Sequence, residues 1–213
     1  MGRLMCGRYA IRQTLAEICA TFGTSTALAD FPPSYNAAPE SARVLIARER
    51  AGTGIWGWPV AAGLSPVINI RCESAADKPM FAASWRAGRR CIAPASGFYE
   101  WDADGQPFYV NSPDVPLMGL CGLWTRDPDH SVRFAVLTQA AIPTLAAIHP
   151  RMPVIATPGA ARAWLAEGAL PPLPALRFHP VSRAVNDARA DSPDLVMECA
   201  APQGSLFAAQ KAG

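Results

Sequence analysis

The chain has 213 residues, half of them apolar, which is enough for one domain with a real core, and no apolar run approaches the roughly 18–20 residues of a membrane span. The net charge of +2 is too small to announce a nucleic-acid binder, yet seventeen of the nineteen basic residues are arginine, whose planar fork matches phosphate. Six cysteines without a C-x-x-C pair point away from a zinc site or a disulfide scaffold, and the start lacks a signal-peptide layout, so reduced thiols in the cytosol are expected.

Residues 1–5, Met1-Gly2-Arg3-Leu4-Met5, read as a leader or an alternative start that is expected to be removed ahead of Cys6-Gly7-Arg8-Tyr9. Removal gives Cys6 a free α-amine beside its thiol. The amine of such a 1,2-aminothiol condenses with an aldehyde, and the thiol then closes a five-membered ring onto the imine carbon. The two groups titrate at roughly 7.7–8.0 and 8.5, so both are partly nucleophilic near neutral pH. The competing reading of Cys6 is a small buried residue at the start of a first strand.

Leu15, Ile18, Cys19 and Phe22 recur at helical spacing, with Thr14 as N-cap and Gly23 as stop, which predicts a short amphipathic helix. Residues 31–39 hold three prolines and are expected to form a long, stiff loop. Residues 42–47, 91–95, 97–102, 108–111, 117–125 and 132–138 are short apolar or alternating runs, separated in the middle of the chain by Gly, Pro, Asp and Asn as in a meandering antiparallel sheet. Asp102-Ala103-Asp104-Gly105 predicts a hairpin turn. Residues 160–167 after Pro158-Gly159 read as a helix with Trp164 and Leu165 on its buried side, and 176–182 as a last strand. Without repeats or a convincing linker, the reading is a single α+β domain over 6–200, dominated by β structure, with a flexible tail over 201–213.

Three stretches offer chemistry. Asn69-Ile70-Arg71-Cys72-Glu73 puts an amide and a guanidinium on the same face of an extended segment. Gly97-Phe98-Tyr99-Glu100-Trp101 sets a carboxylate between two aromatics, where desolvation favours a proton donor; an exposed strand position is the alternative. His149-Pro150-Arg151-Met152-Pro153 holds a histidine in a proline-bounded turn beside an arginine, able to move a proton near neutral pH. Trp56 and Trp58 are candidates for stacking on bases or, equally, for core positions.

Met5-Cys6-Gly7-Arg8-Tyr9, Tyr35-Asn36-Ala37-Ala38-Pro39, Asn69-Ile70-Arg71-Cys72-Glu73, Arg89-Arg90-Cys91, Gly97-Phe98-Tyr99-Glu100-Trp101, Gly122-Leu123-Trp124 and His149-Pro150-Arg151-Met152-Pro153 occur in an order and spacing that resembles the SOS response-associated peptidase family. The resemblance spans roughly residues 6–197. It implies a compact β-rich domain with an antiparallel, barrel-like sheet, a few short helices and a basic groove for single-stranded DNA, with a mature N-terminal cysteine at its floor. It further implies covalent trapping of abasic sites, with Cys6 as nucleophile, Asn69 positioning its α-amine, Glu100 and His149 as acid–base residues, and Arg8, Arg71 and Arg151 near phosphates. No metal or organic cofactor is implied. The expected partner is single-stranded DNA containing abasic sites, bound by a monomer in the cytoplasm and, when on DNA, at the nucleoid.

The chain departs from the family pattern at Ile70, where alanine is usual, and at Trp56-Gly57-Trp58-Pro59, which replaces a longer Gly-Leu-Ile-Pro segment and leaves base stacking open. Two other function classes remain at this stage. One is a cysteine autopeptidase that cuts its own leader, with Cys6 as nucleophile and His149 or Glu100 as base. The other is a non-catalytic single-stranded DNA binding module in which Cys6 is structural.

Overall fold

The computed structural model describes residues 6–200; the leader expected over 1–5 and the flexible tail expected over 201–213 lie outside the described residues. The chain opens with β1 (Arg8–Ile11), α1 (Leu15–Phe22), β2 (Ser25–Thr26), β3 (Ser34–Ala37), β4 (Ala42–Ala47), β5 (Arg50–Trp56), β6 (Asn69–Arg71) and α2 (Pro79–Arg86). It continues with β7 (Arg90–Ala95), β8 (Gly97–Trp101), β9 (Pro107–Asn111), β10 (Met118–Arg126) and β11 (Val132–Ala140). Last come α3 (Pro143–Ala146), β12 (Arg151–Pro153), β13 (Ile155–Ala156), α4 (Pro158–Glu167) and β14 (Arg177–Pro180).

Helix α1 forms where its sequence signals put it. Thr14 and Glu17 make a reciprocal capping box, Leu15 and Ile18 are buried, and Gly23 ends the helix in the left-handed conformation. Five strands then close on themselves. β5 pairs with β4, β4 with β7, β7 with β10 and β10 with β11, all antiparallel, and β11 returns to β5 in a parallel pairing at Arg133↔Ile55 and Phe134↔Trp56. A ring this small is filled by side chains, and Ile46, Trp56, Ile92, Leu120 and Phe134 all belong to its fully buried core.

The second sheet has the order β14-β9-β8-β1-β3. Only Ser96 separates β7 of the barrel from β8, and its N–H donates to the Ala10 carbonyl at 2.7 Å, so the two sheets are locked together where β1 and β8 run side by side. This junction positions the candidate site, because β1 begins two residues after Cys6 and β8 carries Glu100. Among the described residues no helix is long and apolar enough to cross a membrane.

Three expectations need correction. Residues 31–39 are not all loop: Ser34–Ala37 form β3, paired with β1 at Tyr9↔Ala37 and Ile11↔Ser34. Pro32, Pro33 and Pro39 flank this edge strand, and proline excludes a strand only where its missing N–H is needed. β5 and α2 form where no element was expected; α2 starts on Pro79, which suits a first helical turn. The antiparallel, barrel-like sheet is as expected, with β6 added to it parallel to β11.

The third correction concerns the tryptophans. Trp56 and Trp58 are buried, so neither is available for stacking on a base. Trp56 packs edge-on against Tyr9 and stacks with Phe134, and its indole N–H donates to the Ile68 carbonyl at 3.0 Å. Trp58 packs edge-on against Phe81.

Candidate active site

Cys6 is fully buried, and its backbone N–H donates to Glu100 Oε1 at 2.9 Å. Glu100 sits near the end of β8, opposite Phe108, and is only 4% exposed. A carboxylate this shielded from water needs polar partners; the nitrogen of Cys6 supplies one. Burial, with Glu100 adding to it, holds the Cys6 thiol well above the usual thiol range, so the group is protonated at neutral pH. The backbone at Cys6 has φ of 27°, an uncommon value for a residue with a side chain.

Beside this pair lies a cavity of about 510 Å³ whose lining includes Gly7, Arg8, Pro39, Glu100, Trp101, His149 and Asn186. Cys6 lies just behind the lining, joined to it by its neighbour Gly7 and its partner Glu100. Arg8 is held in place by Nη1, which donates to Asn36 Oδ1 at 3.0 Å and to the Val185 carbonyl at 2.7 Å. The buried Asn36 also donates through Nδ2 to the Asp187 and Ala190 carbonyls, so the segment after β14 is tied down as one wall. Partial burial lowers the affinity of Arg8 for its proton. Trp101 Nε1–H donates to Asn186 Oδ1 at 2.8 Å, which ties β8 to that same wall.

His149 is 8% exposed and reaches the same cavity from the barrel side, just before β12. The Arg151 N–H donates to Nδ1 at 3.2 Å, and the Arg151 carbonyl lies 3.1 Å from the same nitrogen. A neutral ring protonated on Nε2 accepts the first contact, and a charged ring donates in the second. One orientation therefore serves both protonation states, which a group that takes up and returns a proton requires.

Of the remaining sequence candidates, Arg71 and Arg151 meet at Thr138, on the flank beyond His149. Asn69 and Arg71 lie in β6 beside Val136 and Thr138 of β11; Asn69 is half-buried, Arg71 is exposed, and neither lines the cavity. The Arg151 fork is already engaged, with Nη1 and Nη2 donating to the two Glu73 oxygens at 2.6 and 2.9 Å, and Nη2 to the Thr138 carbonyl at 2.7 Å. The structure thus brings together Cys6, Arg8, Glu100 and His149. Sequence reasoning missed roles for Asn36, Trp101 and Asn186 in shaping the cavity and for Glu73 as the partner of Arg151. Asn36, Trp101 and Glu73 stand inside stretches already singled out, but nothing in a linear pattern says which neighbour braces which.

A shielded carboxyl on the cysteine nitrogen, a histidine held for either protonation state and an anchored guanidinium can support attack on an electrophilic carbon and binding of an anion nearby. Among the described residues no group of three or more potential metal ligands occurs. The sequence model of the family described as SOS response associated peptidase (SRAP) matches residues 5–188. The chain is 32% identical to abasic site processing protein YedK of Escherichia coli strain K12 over 222 residues, covering 90% of this chain and 99% of that protein. It is 28% identical to abasic site processing protein YoqW of Bacillus subtilis strain 168, with the same coverage. A crystal structure of a Bordetella bronchiseptica protein superposes with a TM-score of 0.71 at 26% identity, over 83% of this chain and all of that one.

Proposed function

Because the chain belongs to the SOS response associated peptidase (SRAP) family, we propose that it binds abasic sites in single-stranded DNA and traps them as a covalent thiazolidine on Cys6. The observation that carries this reading is the 2.9 Å contact between the Cys6 nitrogen and Glu100 Oε1 beside a cavity that also presents Arg8 and His149. Once the peptide bond before Cys6 is broken, that nitrogen is an α-amine and Glu100 is its partner.

The unprotonated amine attacks the aldehyde carbon of the ring-opened deoxyribose. The adduct loses its oxygen as water, with Glu100 donating the proton, and leaves an imine. The thiol sulfur adds to the imine carbon while the thiol proton passes to the nitrogen, closing the ring; the net change is loss of one water. The protonated state of the buried thiol fits this order, in which the amine reacts first and the sulfur follows without a free thiolate. His149 assists opening of the sugar ring and proton transfer, and Asn69 positions the amine. Arg8 meets a phosphate next to the lesion, with Arg71 and Arg151 on the flank; such contacts add affinity without sequence preference. The protein acts as a monomer, in the cytoplasm and at the nucleoid when on DNA.

A second activity of the same site is removal of the leader. Glu100 is hydrogen-bonded to the nitrogen that must leave, and the backbone at Cys6 is in a sparsely populated conformation. Attack of the Cys6 sulfur on the preceding carbonyl moves the acyl group from nitrogen to sulfur, the thiol proton goes to the nitrogen, and water then hydrolyses the thioester.

The test is the intact mass of the purified full chain before and after incubation with a short single strand containing one abasic site. A chain starting at Cys6 that gains the oligonucleotide minus one water supports the reading. A chain starting at Cys6 that gains no mass overturns the covalent step. If Cys6→Ala loses its leader as readily as the wild type, self-cleavage is overturned.

A further inference from the structure

A second concave surface on the barrel shares no residue with the Cys6 cavity. A hollow of about 680 Å³ lies between the end of α1, the β4–β5 turn, the turn before β7, and α4, with Phe22, Ile46 and Leu165 among its apolar lining. Arg50 also borders a smaller depression of about 250 Å³ that reaches Trp124 and Arg126, so the two hollows meet at one guanidinium.

The strand order explains what gathers there. Antiparallel pairing of β10 with β7, β7 with β4, and β4 with β5 brings the end of β10, the start of β7, the end of β4 and the start of β5 to one end of the barrel. Those positions hold Arg126, Arg89 with Arg90, Arg48 and Arg50. With strands about 4.8 Å apart, the row crosses roughly 14 Å, and Arg162 of α4 extends it along the hollow.

The row lacks compensation within the fold. Among the described residues none of these six arginines is in an ion pair, and Glu49 is the sole carboxylate lining either hollow. Like charges on neighbouring strands repel, so their grouping calls for an external anion. Three of the forks are also held in place. Arg89 and Arg126 lie over the Trp124 ring at 5.6 and 5.9 Å, and Arg90 lies over Trp164 at 5.8 Å. Arg90 Nε is shielded without a hydrogen-bond partner, and a Cβ at Gly168, where φ is 78°, would come within 2.5 Å of it. Arg48 adopts φ of 55° at the first position of a two-residue hairpin turn, a place glycine usually takes.

We propose that this arginine row binds the phosphodiester backbone of a nucleic-acid strand at a place separate from the Cys6 cavity. Forks laid out along a shallow surface, not converging on one point, fit a ligand whose charge repeats. Phosphate accepts the bidentate fork, and forks already placed over indoles lose little freedom on binding. The inference rests on the chain acting on DNA but not on the covalent step.

The test uses the full chain and the triple variant Arg48→Gln, Arg50→Gln, Arg162→Gln, whose three side chains are exposed, so the thermal midpoint should not move. Binding of a long undamaged single strand is measured against salt. The variant should bind about tenfold or more weakly at low salt, and its log–log salt slope should fall by about 2, since roughly 0.7 is lost per phosphate contact on single strands. Crosslinking of an abasic oligonucleotide too short to leave the Cys6 cavity should keep its rate at saturation. Unchanged affinity and slope would overturn the proposal. So would displacement of the strand by a polyglutamate peptide of equal charge at equal concentration, which would make the row a site for acidic peptides. A wild-type chain that never crosslinks would sink the covalent reading alone, while weaker undamaged binding by the variant would still support the row.

Discussion

Cys6 and the pair Cys91 and Cys121 are equally buried, yet only one of these regions is equipped for chemistry. Cys91 in β7 and Cys121 in β10 sit in the barrel wall as free thiols, and burial raises both thiols far out of the range in which a thiolate forms near neutral pH. Cys6 is raised for the same reason. What separates it is its surroundings: its nitrogen meets Glu100, and its neighbours open into a cavity reached by His149 and Arg8. Burial by itself makes a thiol inert, and reactivity has to be argued from the groups beside it.

The largest expected effect tests that contrast directly. Cys6→Ala should abolish trapping of abasic DNA that survives denaturation. Cys91→Ala and Cys121→Ala should keep the wild-type yield and lose only about 1–2 kcal/mol of stability from the emptied space. Full trapping by Cys6→Ala on a denaturing gel would erase the distinction between the two regions.

Glu100→Gln comes next. The amide keeps an oxygen to accept from the Cys6 nitrogen, so the geometry survives while the exchangeable proton is lost. Trapping measured under single-turnover conditions should slow by about 10²–10⁴-fold, and affinity for the abasic strand should change little. A variant that reacts at full rate would remove Glu100 from the mechanism and leave it a purely structural partner.

The shared burial of the three thiols has its own consequence. Each favours the protonated form in the folded state, whereas the unfolded chain releases these protons above about pH 8.5. Stability from this source is therefore complete below that pH and is lost as pH rises, by up to about 1.4 kcal/mol per pH unit for each thiol. Urea unfolding across the alkaline range should show this decline, and Cys91→Ala should make it shallower. A flat profile through pH 10 would mean that water reaches the thiols.

Much of this fold was legible in short-range signals. The capping box of α1, the Asp102–Gly105 turn between β8 and β9, and β4 are local devices that a linear pattern displays. Closure of the barrel was not, because the pairing of Phe134 with Trp56 joins residues far apart in sequence, and only that pairing shows why Trp56 is core. The site followed the same division. Cys6, Glu100 and His149 stood out as residue types in suggestive company, whereas the anchoring of Arg8 by Asn36 and Val185 depends on contacts across most of the chain.

The engagement of Arg151 by Glu73 gives the smallest effect and the finest discrimination. Both Nη groups of Arg151 donate to Glu73, whose side chain is about half exposed, and Glu73 holds its charge to lower pH because of that contact. A pair open to solvent on its carboxylate side contributes about 1 kcal/mol or less, so Glu73→Gln should hardly shift the thermal midpoint. Thr138 still holds one side of the fork, and the Arg151 N–H still meets His149 Nδ1, so the histidine should stay in place. For DNA the change removes a negative charge beside the guanidinium that is proposed to meet a phosphate. Affinity for single-stranded DNA should therefore rise a few-fold at low salt, and the gain should shrink as salt screens it. Weaker binding by Glu73→Gln in a fluorescence-anisotropy titration would mean that Arg151 needs its carboxylate to be held in position, which would make the flank beyond His149 a prearranged part of the site and not a competitor for its arginine.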